Sequence, residues 1–123
     1  MKNKLLAAAM LAIVPLGAAQ AMDVATFLVK ADALQKKGMM ALMSSDYKLL
    51  KKEIETQAAA LRAERQAAER ARRKPAYCPP AKQSLTSNEI LAAFRTIPVA
   101  QRSRIQVRDA LRAMMARKYP CRG

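Results

Sequence analysis

Histidine and tryptophan are absent from this 123-residue chain, and glycine occurs only three times. Without histidine the chain lacks the commonest general base and the usual zinc ligand, so no Ser-His-Asp or Cys-His arrangement can form. Three scattered glycines exclude a glycine-rich phosphate loop. We therefore predict that the protein is not an enzyme and that it holds no cofactor and no metal.

Acidic residues are also few, nine against 23 lysines and arginines. Most of them stand beside basic residues in segments with helical patterning, so their spacing favours no carboxylate pair of the kind that glycoside hydrolysis uses. The scarcity of acids leaves a formal charge of +14. Such an excess predicts either an acidic partner or, as the simpler alternative, a role in solubility alone.

The N-terminal residues are typical of a secretory signal peptide. Lys2 and Lys4 precede an uncharged apolar run over residues 5–17, and Ala19-Gln20-Ala21 matches the small-x-small pattern of signal peptidase. The run is shorter than the roughly 20 residues that span a bilayer, although an uncleaved anchor is the alternative. Residues 1–21 are thus expected to be removed, leaving 22–123 as one domain that is periplasmic or secreted.

Export changes what the positive charge can mean. Nucleic acid would be the expected partner of such a chain in the cytoplasm, but little of it is met after export, so we predict no nucleic-acid binding. Acidic proteins, anionic lipid headgroups and anionic envelope polymers remain as partners. A membrane surface is possible but not favoured, because the arginine-rich residues 62–74 have no apolar face.

The chain has two cysteines, Cys78 and Cys121, and neither lies in the predicted signal. An even pair in an exported chain predicts one disulfide. The bond would close a loop of about 44 residues and stabilise the fold by about 4 kcal/mol on the chain-entropy estimate. Two free thiols, or a bond to another chain, are the alternatives.

Alanine and methionine are abundant and β-branched residues are sparse, so an all-α fold is expected, a small bundle of about four helices. Helices are predicted over residues 24–37, 46–73, 87–96 and 104–118, with Gly38 ending the first. Capping boxes are predicted at Thr86 with Glu89 and at Ser103 with Gln106. The apolar cluster at residues 39–43 is expected to fill gaps in the core, and a methionine site that binds a metal or a partner is the alternative.

The second predicted helix changes character along its length. Its first half is amphipathic, whereas residues 62–74 contain no large apolar side chain. We expect that half to remain helical, to be largely exposed to solvent and to end at Pro75. The mature domain therefore divides into a long charged helix at 46–74 and a disulfide-closed helical part at 77–121.

Arg104, Arg108 and Arg112 are spaced four residues apart in the predicted last helix, which would make them one basic ridge. Arginine binds carboxylates in a bidentate manner and is enriched at interface hot spots, so these three residues are the candidate partner-binding site. The alternative is a solvated helix face that forms ion pairs with Asp109 and with acids of the second helix.

The C-terminal half has a distinctive order of motifs. Tyr77-Cys78-Pro79-Pro80 precedes a capped helix, Ile97-Pro98 breaks the chain near Arg102, and Tyr119-Pro120-Cys121 follows an amphipathic helix. This order resembles the Rap/Tai type of immunity proteins over residues 77–121. The resemblance implies a small exported helical protein with these two cysteines linked. It also implies a partner, an amidase effector of the type VI secretion system, which such a protein neutralises by docking on it.

Two other classes of function fit the sequence. A basic envelope-associated protein would bind anionic polymer or lipid headgroups through its arginines, and its binding would collapse as salt is raised. A helical periplasmic chaperone would explain the many methionines and would require a cradle-like apolar surface.

Overall fold

The computed structural model describes residues 21–122. Residues 1–20 of the predicted signal peptide, which include Ala19, therefore lie outside the described residues, and Ala21 is the first residue described. Over this range the chain is all-α, which confirms the predicted fold class. The described residues form four α-helices and two 3₁₀ helices, one between α1 and α2 and the other between α3 and α4. Their bounds are α1 Val24–Lys37, η1 Gly38–Met43, α2 Ser45–Arg70, α3 Ser87–Arg95, η2 Val99–Arg104 and α4 Val107–Lys118.

Helix α1 lies at the centre of the bundle and packs against α2, α3 and α4. Its predicted apolar face is buried, and Phe27 on that face meets Phe94 of α3 edge to face, with ring centroids 5.3 Å apart. The predicted stripe of α4 is buried as well. That stripe comprises Val107, Ala110, Leu111, Met114 and Met115.

The start of α1 is tied to the start of α4. The backbone N–H of Val24 donates to the carbonyl of Ile105 at 2.9 Å, and that of Val107 donates to the carbonyl of Met22 at 2.8 Å. Met22, the residue expected to follow signal cleavage, also packs on the core. This short backbone pairing holds the N-terminal end of the described chain against the segment that leads into α4.

The same pairing explains why the predicted capping box at Ser103 is wrong. Residues 99–104 form η2, and α4 begins only at Val107, with an extended Gln106 before it that makes no side-chain cap. The Ile105 carbonyl accepts from Val24, and the Val107 N–H donates to Met22, so residues 105–106 are held extended. This tertiary contact overrides the local capping signal at Ser103.

Other predicted helix ends are confirmed. Gly38 ends α1 with a φ of 58°, a conformation that costs glycine little. Thr86 and Glu89 form the capping box of α3: the Glu89 N–H donates to Thr86 Oγ1 at 3.1 Å, and the Thr86 N–H donates to Glu89 Oε2 at 2.8 Å. The following α3 end is covered by Arg102, whose guanidinium donates to the carbonyls of Ile97 and Arg95.

Helix α2 ends at Arg70, before the predicted end near Pro75. The N–H of Arg73 donates to the Ala68 carbonyl and that of Arg72 donates to the Glu69 carbonyl, which is a Schellman motif. Arg72 takes the left-handed position with a φ of 55°, where glycine is usual. Most of residues 62–70 are exposed, as predicted, but Leu61 just before them is buried in the core.

The disulfide between Cys78 and Cys121 is present, which confirms that prediction. It fastens the connector after α2 to the segment after α4, and the Cys78 N–H adds a bond of 2.8 Å to the Tyr119 carbonyl. Tyr77, next to the cysteine, is buried against the core. The connector therefore belongs to the folded unit despite its prolines.

Candidate binding surfaces

The predicted arginine ridge does not form, because Arg104 lies on η2 while Arg108 and Arg112 lie on α4. Arg108 donates to the buried side chain of Gln57 at 2.7 Å. Arg112 donates to Glu64 at 2.8 Å and to Asp109 at 2.7 Å. The alternative interpretation, a face engaged with Asp109 and an acid of the second helix, describes Arg112 correctly.

Through these contacts Arg108 and Arg112, two of the three candidate arginines, link α4 to α2. The hydrogen bond from Arg112 to Glu64, and to a lesser extent the one to Asp109, raises the pKa of the Arg112 guanidinium above its ordinary value. Arg104 is exposed, and its side chain donates no hydrogen bond to another described residue. Partner binding through Arg104 stays a prediction, whereas Arg108 and Arg112 are occupied within the fold.

Three acidic side chains, those of Asp32, Asp46 and Glu89, are similarly engaged. Lys118 pairs with Glu89 at 2.7 Å, Arg95 with Asp32 at 2.8 Å, and Lys30 with Asp46 at 3.1 Å. The Lys118 hydrogen bond, helped by the Thr86 N–H, lowers the pKa of Glu89 to about 2. These three carboxylates link neighbouring elements of the bundle.

A small pocket of about 250 Å³ lies where the end of α2 meets the connector. The guanidinium of Arg65 stands 5.8 Å from the centroid of the Tyr77 ring, a cation–π contact that closes the inner wall. Burial raises the pKa of the Tyr77 hydroxyl, against the opposing charges of Arg65 and Arg62. The one carboxylate in the wall, Glu64, already binds Arg112. The pocket is therefore lined by cationic side chains and the neutral Tyr77 hydroxyl, and its lining contains no nucleophile hydrogen-bonded to a base.

A larger apolar groove of about 540 Å³ opens between α2 and α3, with α1 as its floor. It exists because, within the described chain, α2 and α3 both pack on α1, whereas no Cα atom of α2 lies within 8 Å of a Cα atom of α3. Its apolar walls include Leu34, Leu42, Leu50, Ile54, Leu85 and Leu91. Helical periodicity does not predict this groove, because it shows which residues face inward but not whether two helices close over them.

The apolar cluster at residues 39–43 was expected to fill gaps in the core, and this expectation is wrong. Met39, Met40 and Met43 are 83%, 69% and 80% exposed, and only Ala41 is buried. A 3₁₀ helix has three residues per turn, so residues 38, 41 and 44 share one face and the methionines lie off it. We call Met39, Met40 and Met43 the methionine knob.

Lysines surround the methionine knob in sequence. Lys36 and Lys37 form the last turn of α1, and Lys48 and Lys52 lie in the first turns of α2. The nearby acids are engaged elsewhere, as Glu55 is with Lys51 and Asp46 with Lys30. Among described residues, none of the four lysines makes an ion pair, and we call Lys36, Lys37, Lys48 and Lys52 the flanking lysines.

Within residues 21–122 no helix combines the length and apolarity needed to cross a membrane. The same residues contain no cluster of three or more histidine, cysteine or acidic side chains that could hold a metal ion. No protein-family model, curated protein or solved structure matches this chain. The resemblance of residues 77–121 to Rap/Tai immunity proteins accordingly stays a prediction.

Proposed function

We propose that this protein is a non-catalytic binding protein that acts outside the cytoplasm and docks a partner protein through the apolar groove. The groove carries the proposal, since its apolar walls come from four helices, α1, η1, α2 and α3, and it stays open to solvent. Grooves of this kind accept an amphipathic helix, whose apolar face replaces water. The polar rim, which includes Lys51, Glu55 and Asn88, supplies hydrogen bonds that orient a partner.

The rest of the molecule supports a docking role by keeping this surface rigid. The disulfide, which is typical of small domains in oxidising compartments, closes the connector onto the α4 end. Arg112 with Glu64 and Lys118 with Glu89 join α4 to its neighbours. A rigid surface loses little conformational entropy on binding, and a net positive charge speeds the encounter with an acidic partner.

The specific form of the proposal is inhibition of a periplasmic amidase effector by direct docking. It comes from the resemblance of residues 77–121 to Rap/Tai immunity proteins. The groove adds that α3, which lies in that half, supplies one wall through Ile90 and Leu91. An inhibitor of this kind needs no catalytic group, because it acts by covering the active site of its target.

The test uses oxidised protein purified from the periplasm and immobilised as bait for periplasmic extract. We expect capture of a peptidoglycan amidase whose activity falls to zero at a one-to-one ratio. Leu42→Glu, a charge placed at an exposed groove position, should abolish both capture and inhibition. Val99→Glu, at an exposed apolar position on η2 that lies outside the groove lining, is the control and should change neither. Equal capture by both variants, or capture without inhibition, contradicts the proposal.

A second candidate function is an envelope-associated protein that binds anionic polymer through arginine. One observation favours it: Arg62, Arg70 and Arg73 are exposed near the end of α2 and make no ion pair with another described residue. Binding of a polyanion such as heparin should then weaken steeply from 50 to 200 mM salt, and arginine-to-glutamine changes there should remove it. A helical chaperone would instead use the groove and suppress aggregation of an unfolded client.

A further inference from the structure

The methionine knob is unusual because three largely exposed methionines fall within five residues of the chain. Single exposed apolar residues are ordinary, but a contiguous group marks an interaction site. Met39, Met40 and Met43 lie on one six-residue 3₁₀ helix between α1 and α2, and they take no part in lining the groove. The knob therefore adjoins the groove, which Leu42 of the same helix lines, but its three methionines lie outside the groove lining.

The charges beside the knob favour a lipid surface over a protein. Residues 24–61 contain six lysines and no arginine, whereas the arginines all occur from residue 62 onward. Lysine is depleted at protein–protein interfaces and arginine is enriched there. The long lysine stem lies along apolar material while its ammonium stays at headgroup level. Four of these lysines, the flanking lysines, make no ion pair with a described acid and so keep their charge available for anions.

The shape of the knob points the same way. Only Ala41 of its short helix is buried, so the neighbouring methionines project from a turn rather than line a depression. Methionine is unbranched and flexible, which lets it enter a disordered headgroup layer without a complementary pocket. Peripheral proteins bury such apolar side chains about 5–10 Å into that layer.

We propose that the methionine knob and the flanking lysines dock this protein reversibly on an anionic lipid bilayer. Met39, Met40 and Met43 enter the headgroup region, and Lys36, Lys37, Lys48 and Lys52 contact the lipid phosphates. Each lysine near an anionic surface strengthens binding about fivefold, so the charge and the apolar contact act together. This docking goes beyond the proposed function, because it needs no partner protein and leaves the groove unoccupied.

The test measures co-sedimentation of periplasm-purified, oxidised protein with large vesicles. One set contains equal phosphatidylglycerol and phosphatidylcholine, and the other contains phosphatidylcholine alone. We expect binding to the anionic vesicles at least tenfold tighter than to the neutral ones. The triple variant Met39→Ser/Met40→Ser/Met43→Ser should weaken anionic binding at least tenfold, while Val99→Ser at the exposed η2 position leaves it unchanged. All variants carry the same N-terminus, so any residual leader contributes equally.

Charge is tested with the quadruple change of the flanking lysines to glutamine. It should weaken anionic binding more than a hundredfold, since each lysine contributes about fivefold. The pair Lys74→Gln/Lys82→Gln, in the connector after α2, is the matched control and should weaken it less than threefold. Circular dichroism with thermal unfolding checks that each variant is folded. We expect that it is, because all the changed positions are exposed.

Insertion itself is read by fluorescence, because the chain contains no tryptophan of its own. Met40→Trp should shift its emission to the blue on anionic vesicles and be quenched by brominated lipid, whereas Val99→Trp should do neither. Failure to bind anionic vesicles overturns the proposal and leaves the knob to a protein partner. Full binding by the methionine triple variant overturns it as well. So does a quadruple lysine variant that loses no more binding than the Lys74→Gln/Lys82→Gln control, because binding would then depend on charge elsewhere.

Discussion

Helices η1 and α4 both contain methionines, but those of α4 are buried and those of η1 are exposed. Met114 and Met115 on α4 are 6% and 7% exposed, whereas Met39 and Met43 on η1 are largely in solvent. The residue type is the same, so composition does not decide burial. The difference lies in the helix geometry and in what holds each helix against the bundle.

Helix α4 is long enough for a 3.6-residue period to place five apolar side chains on one face. Its ends and sides are also fastened, by the α1 backbone pairing at its start, by Arg112 with Glu64 along its length and by the disulfide beyond its end. Helix η1 spans only two turns and buries one small residue, Ala41. A methionine is therefore part of the core in one place and a free surface in the other.

The largest expected difference between the two regions is in side-chain truncation. Met114→Ala should lower the free energy of unfolding by about 2–5 kcal/mol, because it removes buried contacts and leaves a cavity. Met40→Ala, the matched change on η1, should alter it by less than about 0.5 kcal/mol. Urea denaturation monitored by circular dichroism measures both. Similar losses at the two positions would show that η1 packs as α4 does.

Removal of the disulfide should affect the α4 side first. Cys78→Ser/Cys121→Ser should cost about 2–4 kcal/mol by releasing the loop constraint on the unfolded chain. In hydrogen exchange, amides of α4 and the connector should lose protection, while those of η1 change little. Reduction of the wild-type protein provides an independent check. A variant whose greatest loss of protection falls on η1 would reverse the comparison.

The ion pair between Arg112 and Glu64 should make a smaller contribution. A double-mutant cycle with Arg112→Ala and Glu64→Ala should give a coupling of about 0.5–1 kcal/mol, since the pair is half exposed and bidentate. The pair of Lys51 and Glu55, at 4.0 Å on the η1 side of α2, should couple by about 0.3 kcal/mol or less. Equal couplings would mean that the α2–α4 contact owes nothing to its geometry.

Acid should weaken the α3–α4 link. The pKa of Glu89 is held at about 2 in the folded protein, below its unfolded value, chiefly by Lys118. The stabilisation is therefore complete above pH of about 4.5 and is lost as the pH falls toward 2. Glu89→Gln should be less stable than wild type at pH 7, and the gap between the two urea midpoints should shrink steadily as the pH falls from about 4.5 through about 2. A gap that stays constant over that range would show that protonation of Glu89 is not involved.

Oxidation should separate the two methionine regions without any mutation. Dilute hydrogen peroxide should convert Met39, Met40 and Met43 to sulfoxide well before Met114 and Met115, because access to the sulfur controls the rate. Peptide mass spectrometry follows each site, and the same reaction in urea, where all five sulfurs are exposed, is the control. Early oxidation of Met115 in the folded protein would contradict the burial of α4.

Local sequence signals predicted those parts of the fold that depend on neighbouring residues. The Thr86–Glu89 box, Gly38 and the apolar stripes of α1 and α4 were recognisable because caps and helical faces arise within one or two turns. The disulfide was predictable because the chain holds only two cysteines. The α4 start was mispredicted, since Ser103 is a good local cap that a distant backbone pairing overrides.

Both candidate surfaces show the same limit. The arginine ridge assumed one continuous helix from residue 103, and the extended residues 105–106 divide it. The groove and the methionine knob were missed because one depends on α2 and α3 staying apart and the other on a 3₁₀ rather than an α-helical turn. Neither condition can be derived from periodicity over a few residues.

By itself, the sequence determined that this chain is helical, where α1 and α3 are capped, and which two cysteines are available to join. Those features follow from interactions over three or four residues and from simple counting. Tertiary structure alone decided that α4 begins at Val107, that Arg112 serves Glu64, and that one group of methionines is left in solvent. The physical reason is that each of these outcomes is a competition between a local preference and contacts made by segments far apart in the chain.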